Sequence, residues 1–171
     1  MTITYYQRAR SRDAAGTPRR GAAGFTLTEL LIAMGVAAIL GTIAVPSFSS
    51  LMASQRAKTA ASELFASLLK TRSEAIMHNA NVTVSPLAGT WNTGWQILDP
   101  VNPRNVLDSH GALVNVTIAG PVGVTYRPSG RVLAGAAPSF LITTTSGSSI
   151  NYECISVDLS GRPYEQAAPA C

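Results

Sequence analysis

The sequence predicts an α+β protein in which one long N-terminal helix packs on an antiparallel β-sheet. Three observations carry that expectation. Residues 25–45 form an apolar run with no Lys or Arg. Apolar residues then recur at spacings of three or four to about residue 78. Past residue 81 the pattern changes to short β-type segments separated by Gly, Pro, Asn, Asp and Ser.

Composition bounds the reading. The chain has 171 residues, room for one modest domain with a real core. Hydrophobic residues make up 46% and charged residues 13%, against roughly 25% charged in an average soluble domain. Together with a mean hydropathy of +0.19, this excludes a disordered chain and points to apolar sequence placed in a membrane. Two cysteines are too few for a disulfide-built miniprotein or a Cys-rich zinc module. The formal net charge of +4 invites a nucleic-acid reading. However, Arg8, Arg10, Arg12, Arg19, Arg20 and Asp13 give residues 1–24 that whole excess, and the remainder is formally neutral. Global charge is therefore no argument for DNA.

As a helix, the 25–45 run spans roughly 30 Å, the thickness of a bilayer core. The arginines before it predict a cytoplasmic N-terminus and a C-terminal part that crosses the membrane. The run is longer than a secretory h-region, and its conspicuous small residue, Gly24, comes before it rather than after. It also contains Glu29, and a carboxylate near a membrane-helix centre costs about 2.5–3.5 kcal/mol on insertion scales. Glu29 therefore either reaches headgroup water or has a cationic partner. Its place one turn inside a potential cleavage site favours the partner.

Gly24-Phe25-Thr26-Leu27-Thr28-Glu29-Leu30-Leu31 resembles the processing signal of type IV pilins and type II secretion pseudopilins. The resemblance implies that a prepilin peptidase cuts after Gly24 and that Phe25 becomes the N-methylated first residue. It also implies that Glu29 serves assembly by pairing with the Phe25 amine of a neighbouring subunit. Opposite charges attract strongly in a low-dielectric setting, and an unpaired Glu29 there would be costly. The expected division is a cleaved leader at 1–24, a transmembrane and fibre-core helix at 25–53, and an extracytoplasmic head at 54–171. The expected location is the inner membrane, single-pass, and then a fibre.

Pro46 lacks an N–H donor and predicts a kink. The helix resumes with Ala57, Ala61, Leu64, Leu68, Ala75 and Ile76 on one stripe and Arg56, Lys58, Glu63, Lys70, Arg72 and Glu74 outside it. One helix from about Thr26 to His78 is expected, ending at Asn79-Ala80-Asn81. Strands are expected at 82–84, 94–98, 113–118, 122–126, 140–144 and 152–157.

The passage from Leu68 through Arg72 and Ile76 to Val84 resembles GspH/FimT-type minor pilins and pseudopilins. So do Trp91-Asn92-Thr93-Gly94-Trp95-Gln96-Ile97 with Asp99, and Ser160-Gly161-Arg162. A pilin-like fold is implied. So is a minor-subunit function in a type IV pilus, with a type II secretion pseudopilus or a DNA receptor as alternatives. The implied partners are prepilin peptidase, other pilin subunits and the membrane.

Few residues suggest other chemistry. Trp91 and Trp95 are expected at the helix–sheet junction rather than on a partner surface. His78 and His110 have no ligand-spaced companions, so no metal or cofactor is expected. The sequence has no P-loop, zinc-binding helix motif or nucleophile elbow, and no enzymatic activity is expected. Cys154 and Cys171 fall outside the cytoplasm in the expected topology, where a disulfide forms readily. A bridge would tie down the terminal residue, as in many pilin-like proteins, and contribute on the order of 3 kcal/mol in the chain-entropy model. Some minor pilins of this branch bind DNA through Gly-Arg-any-Arg. Here Gly161-Arg162 is followed by Pro163 and Tyr164, so the second arginine is missing. Arg127 and Arg131 are the candidates to compensate in space. An Arg162 that only pins its loop is the competing reading.

Overall fold

The computed structural model describes residues 24–171. Residues 1–23 of the expected leader, with all its arginines, lie outside the described residues. Helix α1 runs Leu27–Met77. It continues through position 46, so the proline does not end it. The expected kink falls on residues 43–46, whose side chains are outside the described set. The chain divides into two compact units at residues 39 and 40. In the first, the apolar side chains stand in solvent: Leu30, Ile32, Met34 and Ile39 are all exposed.

The second unit contains the rest of α1 and the strands. The helix ends in a Schellman motif. Asn79 takes a left-handed φ of 47°, Ala80 N–H donates to Ala75 C=O at 3.2 Å, and Asn79 N–H donates to Ile76 C=O at 3.3 Å. Eight strands follow: β1 Val82–Pro86, β2 Trp95–Leu98, β3 Val106–His110, β4 Thr117–Ala119, β5 Val124–Tyr126, β6 Ser139–Ser146, β7 Ser149–Val157 and β8 Pro163–Gln166. They form two antiparallel four-stranded sheets, ordered β3-β2-β1-β5 and β4-β6-β7-β8, where a single sheet was expected.

Three strand expectations need correction. The 113–118 run yields only Thr117–Ala119, because Asn115 sits at φ 58° and breaks the extended backbone. The sequence pattern also missed β3 and β8. Both are edge strands whose side chains are all at least partly exposed, without a clear apolar alternation, and β8 begins on a proline, which an edge tolerates.

The core forms where the α1 stripe meets both sheets. Ala57, Ala60, Ala61, Leu64 and Leu68 pack with Val84, Ile97, Tyr126, Phe140, Ile142 and Ile155. The alanines allow close approach and the leucines fill the space between. Trp91 and Trp95 are buried, as expected. Trp91 meets Phe140 edge-on at 4.9 Å and donates to Pro121 C=O at 2.7 Å. Trp95 donates to Ser67 Oγ at 2.8 Å. Both indole N–H groups are thus paired, which removes the cost of burying them.

Cys154 and Cys171 are disulfide-bonded, with a Cα–Cα separation of 5.6 Å. The bond ties the terminal residue to the middle of β7. Nonreducing peptide mapping of exported protein is expected to recover the 154–171 cross-linked pair. Cys171→Ser is expected to lower stability by about 3 kcal/mol, read from a denaturant midpoint. Two free thiols in oxidised protein would remove this account.

Candidate functional site

The first candidate site is the start of α1. Gly24 and Phe25 precede the helix, and Phe25 is 90% exposed. Thr26 is the N-cap residue. Its hydroxyl accepts from Glu29 N–H at 3.2 Å and donates to Glu29 Oε2 at 2.9 Å. Thr26 N–H also donates to Glu29 Oε2 at 2.9 Å. This is a reciprocal capping box, in which the helix's first free donors are satisfied from within. Both bonds to the carboxylate fall on one oxygen, Oε2. Glu29 is therefore held at the helix start, where the positive end of the dipole favours its charge. Sequence reasoning missed this role, although Thr26-Leu27-Thr28-Glu29 is the signature of such a box. An 18-residue window of α1 reaches a mean hydropathy of 2.1 and is unburied.

The second candidate is a pair of turns in the C-terminal unit. Residues 127–131 and 158–162 share Ser-Gly-Arg and are closed the same way. In one, Gly130 N–H donates to Arg127 C=O and Arg127 N–H to Arg131 C=O, both at 2.8 Å. In the other, Gly161 N–H donates to Asp158 C=O at 2.9 Å and Asp158 N–H to Arg162 C=O at 3.1 Å. Gly130 and Gly161 have φ of 74° and 88°, values that favour glycine. The turns touch, since a Cβ on Gly161 would overlap Gly130 O. Arg72 of α1 fixes the junction by donating from Nε to Gly130 C=O at 3.0 Å. Sequence reading missed this role of Arg72, which depends on a contact 58 residues away in the chain.

The structure thus brings the turns that carry Arg127, Arg131 and Arg162 together, and all three arginines are exposed. Arg127 and Arg131 line one small hollow with Leu159, and Arg162 lies outside it. Asp158 offsets part of the positive charge. Hydrogen bonds from the Ser160 hydroxyl and Arg162 N–H hold its carboxyl below the usual range. Tyr126, beneath Arg127 in the chain, is buried with its hydroxyl unpartnered among the described residues. Burial pushes its hydroxyl pKa up, against the pull of the Arg72 charge.

The histidines serve the fold. His110 stacks on Trp95 with centroids 4.2 Å apart and meets Glu63 at 3.0 Å, and His78 lies 3.4 Å from Glu74. Among the described residues no group of three or more His, Cys, Asp or Glu is placed to hold a metal.

Comparison with known proteins follows the same outline. Residues 60–161 match the family model described as type II transport protein GspH. Residues 19–45 match the prokaryotic N-terminal methylation motif. No curated protein matches the chain. Two crystal structures of the Pseudomonas aeruginosa type IV minor pilin FimU share the fold. The form in space group P65 gives a TM-score of 0.54 at 21% identity, covering 67% of this chain and 98% of that one. The form in P21 gives 0.52 at 23% identity, covering 66% and 87%. The long helix, the two sheets, the methylation motif and a match across more than half the chain place this protein in the GspH family of pilin-like subunits.

Proposed function

We propose that the chain is a minor subunit of a type IV pilus, made as a membrane precursor and assembled through α1. Prepilin peptidase removes residues 1–24 by cutting after Gly24, and Phe25 becomes the N-methylated first residue. Residues 25–53 hold the precursor in the inner membrane and then enter the fibre core. Residues 54–171 form the head, outside the cytoplasm. The work is noncovalent assembly.

The observation that supports this most is the unburied apolar surface of α1 headed by Glu29. So large an exposed apolar surface needs lipid or neighbouring helices to cover it. The test is recovery of the processed chain in fibres sheared from the cell surface. Its presence there, and its loss when the peptidase is deleted, is the expected result. Recovery only alongside type II secretion components would instead make it a pseudopilus subunit.

A second reading is DNA binding by the head, favoured by the meeting of the two arginine-bearing turns. Residues 25–171 are formally neutral, so the attraction would have to be local. Binding is then indifferent to sequence and salt-dependent through phosphate contacts. Arg162→Ala is expected to lower affinity for all sequences and flatten the salt slope by about one unit. Anisotropy titration of the full chain in detergent at low salt measures both. Affinity unchanged in Arg162→Ala, or no binding at high protein concentration, would leave Arg162 a loop residue only.

A further inference from the structure

Three open hollows meet at one side chain, Arg56 of α1. One, of about 400 Å³, lies between α1 and the loop after β3, with Met52, Leu113 and Val114 in its lining. The second, of about 440 Å³, is lined by threonines of β4 and β6 with Tyr152. The third, of about 350 Å³, runs up α1 past Met52 to Phe48. Arg56 lines all three, so together they make up the grooved surface around it within the second unit.

The first hollow has a mainly apolar lining, the second is lined largely by threonines, and Arg56 stands between them as an exposed charge. Phe48 and Val114 are 65% and 76% exposed. The acid at its far end, Glu63, is already engaged by His110. Arg56 has no hydrogen-bond or ion-pair partner among the described residues. We infer that this groove docks a neighbouring subunit of different sequence, through a segment that places an Asp or Glu among apolar side chains. The inference rests on the assembly reading above.

Charge complementarity supplies the argument for that occupant. An apolar partner alone would bury Arg56 without a counter-ion, which is costly. A carboxylate would meet the planar guanidinium with two parallel bonds while the arginine stem stays packed on apolar surface. Nucleic acid fits poorly, because one cation in this groove is not a basic stripe. A second copy of this chain fits poorly too, because its acids are mostly occupied. Glu74 and Asp108 are ion-paired with His78 and Lys70. Asp99 and Asp158 hold their own loops, and Glu29 caps α1. Glu165 lies near Glu153, and burial, with the Glu153 charge second, pushes the Glu165 carboxyl pKa up.

The test places a photocrosslinking amino acid at Thr59, in the groove beside Arg56, in the full chain expressed in its own cells. The expected capture is a processed pilin-type subunit whose crosslinked peptide contains Asp or Glu flanked by apolar residues. Arg56→Glu is expected to cut that capture at least about tenfold, the equivalent of one lost charge-assisted pair. Arg56→Met, which keeps the stem, is expected to reduce it less. Replacing the partner's carboxylate by lysine should restore capture by Arg56→Glu. Capture of a second copy, no protein capture, or capture indifferent to Arg56→Glu would overturn the inference. Processing and recovery in sheared fibres are scored in the same cells. If both persist while capture fails, only the groove assignment falls.

Discussion

Replacing Gly24 by valine leaves the precursor uncut. The expected result is a full-length chain on immunoblots and by mass spectrometry, with no detectable product beginning at Phe25. The structure makes this a clean test. A Cβ built on Gly24 meets nothing within 4 Å, and its φ is not among the left-handed values. The fold therefore has no use for a glycine at this position, and valine should cost it nothing. Any block then arises in the peptidase, which must draw the residue before the cut into its site. Normal cleavage of Gly24→Val would separate this chain from the processing its motif implies.

Glu29→Leu is expected to insert at least as well as the parent, since it removes a charged side chain from the apolar segment. It is nevertheless expected to fail in assembly. Removing one partner of a buried ion pair costs about 3–5 kcal/mol, or roughly two to four orders of magnitude in the division between membrane pool and fibre. The capping box complicates this substitution, because leucine also deletes the bonds from Thr26. Glu29→Gln resolves the two roles. Its amide oxygen still accepts from Thr26 N–H, so the helix start survives, but the charge is gone. Equal loss in both variants assigns the defect to charge pairing with the Phe25 amine. Normal incorporation of Glu29→Gln into sheared fibres would sink that pairing.

The sequence was most informative where the physics is local. The apolar run, the α1 stripe and the Asn79 stop each depend on neighbours within a turn or two, and the structure follows them except at Ile76, expected on the stripe but 51% exposed at the last turn of α1. The capping box was equally local, but Glu29 was weighed as a membrane charge and its reach back to Thr26 was overlooked. β3 and β8 were harder, because an edge strand needs no apolar alternation and theirs is weak. The division into two sheets is set by pairings such as Val84 with Ile97 and Ile142 with Glu153, which no single segment encodes. The Arg72 anchor and the groove around Arg56 were hidden for the same reason. Each joins a helix residue to a loop or strand more than fifty positions away.

The way α1 is seated has a mechanical consequence. Buried helix residues from Ala53 to Ala75 are spread along roughly 33 Å of its length, and strands of both sheets meet that stripe. A pull along the helix axis therefore loads this whole seam in shear, all contacts at once. No strand end is offered to be peeled away rung by rung. Such a joint is stiff up to its limit and then gives way in a single event, so under tension the head should hold its shape or lose its helix outright.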